Sequence, residues 1–156
     1  MPLEKLTELL DNKNKKYIVV KHSKAFTAQE VAASAHVPGD EMAKTVIVKI
    51  DGDLNMVVVP ATHEVSFDKI REHLGAEEVK LATEDEFEQL FPDCELGAMP
   101  PFGTLYDMNT YVSEALTEDR IIAFNAGTHK ELVKISYDDF ETIVQPKVFD
   151  LSIKKA

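Results

Sequence analysis

The sequence predicts a single α+β domain in which helices surround a mixed β-sheet. Three observations lead to this prediction: apolar residues recur at helical spacing in several segments, β-branched runs of strand length lie between them, and one pair of runs is joined by a tight turn. Because helices and strands interleave and at least one strand pair is a hairpin, we expect a mixed sheet wrapped by helices. A length of 156 residues suits one domain.

The first part of the chain predicts a helix, a strand and a second helix. Leucines at helical spacing indicate an amphipathic helix over residues 3–11, and YIVVKH at 17–22 is rich in β-branched residues, as strands are. Thr27 and Glu30 have the spacing of a capping box, so a helix is expected over 28–35. The Pro-Gly pair that follows ends it.

The clearest local signal is a β-hairpin. KTVIVKI at 44–50 and LNMVVVPA at 54–61 flank the turn sequence DGD at 51–53. Both runs are almost continuously apolar, which is typical of strands covered on both faces. We therefore expect this hairpin at the centre of the sheet.

The middle of the chain predicts two further helices around a short strand. Residues 66–75 begin with a serine N-cap and end at a glycine, and EVKLA at 78–82 indicates a strand. Residues 83–92 begin with a second capping box and end at a proline, so we expect a helix there as well.

The last third predicts strands, one helix and a tail. The strand candidates are TLYDM at 104–108, TYVS at 110–113, RIIAFNAG at 120–127 and ELVKIS at 131–136. SYDDFETIV at 136–144 predicts the last helix, and residues 145–156 are expected to form a tail.

Composition excludes several classes of function. The net charge of −11 argues against DNA binding and against broad binding to nucleic acids or membrane surfaces, because such binding neutralises many phosphates. Contact with a few phosphates at one end of a nucleic acid remains open. Six lysines crowd the first 24 residues, either as a solvated face or as a local patch near a polyanion; they are Lys5, Lys13, Lys15, Lys16, Lys21 and Lys24.

The compartment is expected to be the cytoplasm. A single cysteine excludes an internal disulfide and fits a reducing environment. The first residues, MPLEKLTELL, lack the basic start and apolar run of a signal peptide, and no run approaches the length of a membrane span.

The sequence lacks the motifs of several common types of site, namely nucleotide-binding loops, serine-hydrolase elbows and zinc clusters. There is no GxxxxGK[ST] or GxGxxG loop, no GxSxG elbow and no Cys/His cluster with zinc spacing, so neither a cofactor nor a metal is expected. Cys94 with a distant histidine leaves a cysteine hydrolase open as one hypothesis. A lone cysteine beside a proline is more often an unreactive packing or surface residue.

Three features are candidates for a site. Lys44 stands at the start of a strand expected to be buried, where an amine is costly unless it reaches a cleft, pairs with an anion or extends to solvent. The loop GAMPPFG at 97–103 is stiffened by two prolines and could hold backbone N–H groups toward a ligand, or simply connect two elements. In FNAGTHKEL at 124–132, Gly127 allows close approach of a ligand, and His129 could titrate near neutral pH or lie in solvent.

The chain resembles the YbaK/prolyl-tRNA synthetase-associated domain family over residues 22 to 135. The motifs that carry this resemblance are, in chain order, HSKAFTAQEVA, MAKTVIVKIDG, VVVPA, KLATEDEFEQLFPDCELGAMPPFG and FNAGTHKELVKI. The most specific combination is the Ala-Lys-Thr strand start with the Pro-x-Cys-x-x-Gly-x-x-Pro-Pro-Phe-Gly loop. The resemblance implies one domain over 1–156 with a mixed, partly barrel-like sheet.

The resemblance also implies an activity. Family members that are enzymes hydrolyse the ester bond of mischarged aminoacyl-tRNA, within prolyl-tRNA synthetase or as free-standing proteins, and this chain fits the free-standing role. A synthetase distinguishes analogues that differ by a methylene by only about 1–3 kcal/mol, so a second site that destroys the wrong product supplies fidelity. The implied partners are the acceptor end of a tRNA mischarged with a small amino acid such as Ala, Cys or Ser, and an aminoacyl-tRNA synthetase. The alternative is a non-catalytic module that binds such RNA ends without turnover.

The resemblance assigns roles residue by residue. Lys44 matches a contact to the phosphate near the tRNA 3′ end, residues 97–101 match a loop that holds the aminoacyl group and the attacking water, and Gly127 with His129 matches the opposite wall. The implied catalytic residues are Lys44, Gly97, Ala98, Met99, Pro100, Gly127 and His129. The implied substrate-binding residues are Phe26, Thr27, Thr45, Pro101, Phe102 and Asn125.

One position departs from the family. Many members have Tyr-Val/Ile-Asp-Glu after the loop, whereas this chain has Tyr-Val-Ser-Glu with Ser113 in place of the aspartate. Any role of that aspartate is therefore absent here. Neither the amino acid removed nor the tRNA follows from the sequence.

Overall fold

The structure is a computed structural model that describes residues 3–22, 30, 32 and 37–155. The helix predicted over 28–35 therefore falls largely outside the described residues, as do Phe26 and Thr27. Within the described part of the chain, helices flank a large mixed sheet, and this confirms the predicted α+β class.

The helices and strands follow the predicted order closely. The helices are α1 (Glu4–Asn12), α2 (Phe67–Leu74), α3 (Glu84–Phe87) and α4 (Tyr137–Val144). The strands are β1 (Tyr17–Lys21), β2 (Met42–Ile50), β3 (Asp53–Pro60), β4 (His63–Val65), β5 (Val79–Leu81), β6 (Thr110–Ser113), β7 (Ile121–Asn125), β8 (Glu131–Ser136), β9 (Lys147–Phe149) and β10 (Ser152–Lys154).

The main sheet has the order β1-β8-β7-β2-β3-β6-β9, with β5 added against the far end of β2. The pairs β2–β7, β3–β6 and β6–β9 are parallel, and the other pairs are antiparallel. A second, two-stranded sheet pairs β4 with β10.

The β2–β3 hairpin lies at the centre of the sheet, as predicted. Asp51 and Gly52 form its turn with φ angles of 48° and 88°, the left-handed values that a two-residue hairpin turn requires. Alternate residues of β3 enter different cores: Met56 contributes to the core under α1 and α4, whereas Val57 packs with α2. Both faces of the hairpin are therefore covered.

The predicted helix caps are confirmed where they can be seen. The Ser66 hydroxyl accepts the N–H of Lys69 at the start of α2, and Gly75 ends that helix with a φ of 66°. At α3 the capping box between Thr83 and Glu86 is present.

In the middle of the chain, one predicted helix is confirmed only in its first half and one predicted strand is wrong. The helix expected over 83–92 is α-helical only as far as Phe87 and continues as a 3₁₀ turn, Glu88–Leu90. Pro92 then disfavours helical geometry at the residue directly before it, so no helix continues through Phe91. TLYDM at 104–108 is not a strand: Gly103–Leu105 form a 3₁₀ turn, and Asp107 has a φ of 57°, which breaks an extended run.

The tail expected over 145–156 is also a wrong prediction. Residues of this segment form β9 and β10, and β9 extends the main sheet beside β6. Phe149 and Leu151 are buried in the core that covers one face of the hairpin. The segment is thus part of the fold, and β10 lies beside β4 close to the site described next.

Candidate functional site

A cavity of about 500 Å³ opens beside the first half of β2. Its volume lies in the range of small-molecule sites. The lining residues come from β2, from the segment around α3, from the proline-rich loop and from the ends of β3, β7 and β10. They are Ala43, Lys44, Thr45, Val46, Ile47, Ala61, Leu81, Ala82, Glu84, Phe87, Leu96, Gly97, Met99, Asn125 and Lys155.

Lys44 is a half-buried amine in this cavity. Its Nζ donates a hydrogen bond of 3.1 Å to the backbone oxygen of His63 in β4. Burial lowers the pKa of Lys44, the neighbouring charge of Lys155 lowers it further, and Glu64 acts in the opposite direction. The amine is therefore partly desolvated and has like charge beside it, a setting that favours binding of an anion.

Two polar side-chain atoms in the cavity lack a partner. Thr45 Oγ1 and Asn125 Oδ1 are shielded from solvent, and neither has a hydrogen-bond partner among the described residues. Asn125 is only 8% exposed. Since buried polar groups are normally satisfied, these atoms are suited to contacts with a bound ligand or water.

The proline-rich loop contributes backbone to the same cavity. Gly97 has a φ of 85°, a left-handed conformation that glycine adopts without strain, and it lines the cavity together with Met99. Neither residue uses its backbone N–H in a hydrogen bond to another described residue. Two donors in the loop are thus free for a ligand.

The turn after β7 holds this loop in place. The Gly127 N–H donates to Ala98 O at 2.9 Å, and its own oxygen accepts the Glu95 N–H at 2.7 Å. His129 is 3% exposed, and its Nε2 donates to Leu96 O at 2.6 Å. Gly127 and His129 contact the loop and are not among the residues that line the cavity. Their placement on the opposite wall, implied by the resemblance, stays a prediction.

The other predicted residues of the loop lie in the core. Ala98, Pro100, Pro101 and Phe102 are buried and do not line the cavity. The Phe102 ring packs against two further phenylalanines of the core, with centroid distances of 5.2 and 5.4 Å. These residues fix the loop to the core, and of the predicted site residues the cavity brings together Lys44, Thr45, Gly97, Met99 and Asn125.

Cys94 is a poor nucleophile in this structure. It lies outside the cavity lining, and its Sγ is 3.3 Å from the hydroxyl of Tyr106. Burial raises the pKa of its thiol, so the thiolate form that attacks substrates is disfavoured.

Sequence reasoning missed Lys155 and the apolar wall formed by Leu81 and Phe87. Lys155 reaches the cavity only because β10 pairs with β4, a long-range contact with no local signal in the sequence. Leu81 is 57% exposed, and nothing in the sequence distinguishes it from an ordinary strand leucine.

Membrane-spanning helices and clustered metal ligands are both absent from the part of the chain that the structure describes. None of the helices there is long and apolar enough to cross a bilayer. The same residues hold no group of three or more His, Cys, Asp or Glu side chains placed to bind a metal ion.

Fold and cavity define an α+β domain with a small, partly polar cleft that combines lysine amines with free backbone donors. Residues 22–143 match the family model described as the aminoacyl-tRNA editing domain, so the chain belongs to this family. The resemblance drawn from the sequence motifs is thereby confirmed.

Similar proteins include proline–tRNA ligases. The enzyme of Staphylococcus epidermidis is 35% identical over 129 residues, which cover 76% of this chain and 22% of that enzyme. The enzyme of Staphylococcus aureus strain Newman is 31% identical with the same coverage. The chain thus spans about a fifth of the length of the curated relatives that it matches.

Solved structures share the fold. A hypothetical protein superposes with a TM-score of 0.85 at 23% identity, covering 96% of this chain and all of that one. A candidate trans-editing enzyme for prolyl-tRNA synthetase superposes with a TM-score of 0.79 at 19% identity, covering 97% of this chain and 95% of that one.

Proposed function

We propose that this protein is an aminoacyl-tRNA deacylase that acts in trans and hydrolyses the ester bond of tRNA mischarged with a small amino acid such as Ala, Cys or Ser. Membership of the editing-domain family supports this proposal, as does likeness over nearly the whole length to a candidate trans-editing enzyme. The tRNA acceptor end is the proposed partner, and an aminoacyl-tRNA synthetase is a second one.

One observation carries the proposal: the same cavity is lined by Lys44, whose amine is partly desolvated, and by Gly97 and Met99, whose backbone N–H groups donate to no other described residue. An aminoacyl ester at an RNA end has an anionic phosphate beside a carbonyl group that becomes negatively charged during hydrolysis. An amine suits the first group and preorganised N–H donors suit the second.

The proposed reaction needs only water and these groups. Water attacks the ester carbonyl carbon, and the N–H donors of Gly97 and Met99 stabilise the negative charge that forms on the carbonyl oxygen. The tetrahedral intermediate then collapses and the bond to the ribose oxygen breaks. One proton of the attacking water passes to that ribose oxygen, the other passes to solvent, and the amino acid leaves as its carboxylate. Thr45 and Asn125 line the cavity, and their side-chain oxygens have no hydrogen-bond partner among the described residues, so we assign them to hold the attacking water or the amino group.

The cavity also favours a small amino acid. Its lining combines small side chains, Ala43 and Ala61, with the larger side chains of Phe87 and Met99. A volume of about 500 Å³ must hold both the aminoacyl group and part of the terminal nucleotide, so little space remains for a large side chain.

The test is hydrolysis of a panel of tRNAs mischarged with Ala, Cys or Ser, by the wild type, by Lys44→Ala and by Lys49→Ala. Lys49 is the matched control, because it lies in the same strand but pairs with Glu86 outside the cavity lining. We expect hydrolysis by the wild type and the control, and a large loss in Lys44→Ala.

Two results would contradict the proposal. Hydrolysis of no substrate by the folded wild type would do so, and if such RNA ends still bind, the non-catalytic module becomes the better description. Equal hydrolysis by Lys44→Ala and Lys49→Ala would show that the cavity amine has no part in the reaction.

A further inference from the structure

The last strand brings a second lysine to the cavity. β10 pairs antiparallel with β4, with Lys154 opposite His63, and the next residue continues the ladder through a 2.9 Å hydrogen bond from Lys155 N–H to Thr62 O. Lys44 Nζ donates to His63 O, which also belongs to β4. Strand β4 is therefore the common neighbour of β10 and of Lys44. Lys155 accordingly lines the same cavity as Lys44.

Buried polar contacts hold β10 in this position. The Ser152 hydroxyl lies 2.9 Å from His63 Nδ1 and 2.7 Å from the hydroxyl of Ser113, and both serines are at most 5% exposed. Lys69 Nζ also donates to Ser152 O at 3.2 Å. Ser113 is the position at which this chain departs from the family pattern. The strand that carries Lys155 is thus tied to the body of the domain by side chains.

The two amines lie close enough to affect each other. Lys155 is one of the causes that lower the pKa of Lys44. Within the described residues Lys155 forms no ion pair, and Lys44 donates only to a neutral carbonyl. Two like charges in one partly desolvated cavity repel, and a bound anion removes that repulsion.

The anion cannot be the aminoacyl group. At neutral pH an aminoacyl ester carries a positive α-amino group and a neutral ester, and two lysines would repel such a group. The phosphodiester groups of the RNA strand are the anionic part of the proposed substrate. The amines therefore face the RNA backbone, and the aminoacyl group lies toward the loop.

We propose that Lys155 is a second substrate-binding cation, which binds with Lys44 the phosphodiester backbone next to the 3′ end of the RNA. The inference rests on the proposed function for the identity of its ligand. It assigns a binding role to a segment that the sequence alone indicated to be a tail.

The test measures binding without hydrolysis. A fluorescently labelled RNA microhelix that ends in unpaired CCA and carries no amino acid is titrated with wild type, Lys155→Ala, Lys155→Arg and Lys154→Ala, and anisotropy is recorded across a series of KCl concentrations. Lys154 is the matched control, since it has the same charge one position earlier in the chain and does not line the cavity.

We expect Lys155→Ala to weaken binding about 2- to 5-fold, the effect of losing one partly exposed ion pair. The slope of log affinity against log salt should fall in magnitude by about 0.7, the value for one phosphate contact to a single strand. Lys155→Arg should restore most of the affinity, and Lys154→Ala should match the wild type. In ¹⁵N-detected titrations, the pKa of Lys44 should rise in Lys155→Ala because a neighbouring positive charge is removed.

The inference and the proposed function fail in different ways. Equal effects of Lys155→Ala and Lys154→Ala on affinity and salt slope would overturn the inference, whether or not the protein hydrolyses aminoacyl-tRNA. Absence of microhelix binding by the wild type would overturn it as well. Lys155-dependent binding by a protein that cleaves no member of the mischarged panel would support the inference while contradicting the proposed deacylase.

Discussion

Replacing His129 separates a positioning role from a catalytic one. The ring is buried, its Nε2 donates to Leu96 O at 2.6 Å, and it lies 3.5 Å from where a Cβ on Gly97 would stand. These contacts place it against the loop that provides the proposed oxyanion donors. In His129→Ala the loop loses this support, and both stability and hydrolysis should decrease.

The expected decrease in the free energy of unfolding of His129→Ala is the sum of two losses. One buried hydrogen bond contributes about 1 kcal/mol, and removing the buried ring costs about 1–2 kcal/mol more in lost burial. The sum, about 2–3 kcal/mol, corresponds to a decrease in Tm of about 4–12 °C for a domain of this size. Hydrolysis should fall at least tenfold at a temperature where the variant is still folded, because the Gly97 N–H group is no longer fixed.

His129→Gln provides the discriminating measurement. A glutamine amide can place an N–H near the position of Nε2, so it can restore the bond to Leu96 O, but it cannot exchange a proton as a general acid or base. We therefore expect His129→Gln to recover most of the Tm and most of the deacylation rate, with Thr128→Ala in the same turn as a control. A folded His129→Gln variant with wild-type Tm and no hydrolysis would refute the positioning role and favour direct participation in catalysis.

Three further predictions concern charge, the thiol and packing. Because the pKa of Lys44 is lowered, its charge disappears at a lower pH than that of an ordinary lysine. Affinity for the microhelix without an amino acid should therefore begin to fall at a lower pH in the wild type than in Lys44→Arg, and identical pH profiles would contradict this. The deacylation rate of Cys94→Ser should be within about twofold of the wild-type rate, because burial favours the protonated thiol and the thiol contacts the Tyr106 hydroxyl. A folded but inactive Cys94→Ser variant would restore the cysteine-hydrolase hypothesis. Gly103→Ala should lower the free energy of unfolding by about 1–3 kcal/mol, measured in urea, because an added Cβ would stand 2.2 Å from Thr110 Oγ1. An unfolding midpoint equal to that of the wild type would show that the loop shifts at no cost.

The sequence was most informative where the signal is local. The hairpin turn at Asp51–Gly52, the Ser66 cap and the capping box at Thr83 all depend on residues close together in the chain, and all three are present. Local signals also produced the errors. TLYDM has strand-like composition, but Gly103 packs against the chain at Thr110, so the intervening residues fold back in a tight turn instead of extending.

The site was predictable only in part, because some of its residues have local sequence signals and others are placed by long-range contacts. Lys44 and Gly97 stood out because an amine at the start of a buried strand and a glycine in a proline-rich loop are locally unusual, and both line the cavity. The resemblance placed His129 on the wall opposite the loop, whereas its burial depends on the packing of the turn after β7 and not on its neighbours in sequence. Lys155 depends on β10 meeting β4 across about ninety residues, and no periodicity or cap reports such a pairing.

The charge of the protein limits how much of an RNA molecule can bind near this site. The chain carries a net charge of −11, so an RNA molecule approaching most of its surface is repelled. The basic residues of the N-terminal segment offset this only in part, because Lys15 pairs with Asp139 and Lys5 lies 4.0 Å from the centre of the Tyr106 ring.

Two lysines in one cavity can bind the last phosphates of a strand while the acidic body keeps the rest of the RNA at a distance. Recognition of this kind gives weak affinity with a shallow salt dependence, because few phosphates are neutralised. A tRNA should therefore bind little more tightly than the CCA-ending microhelix, and much tighter binding of the tRNA would mean that the body of the tRNA has a contact surface outside this cavity.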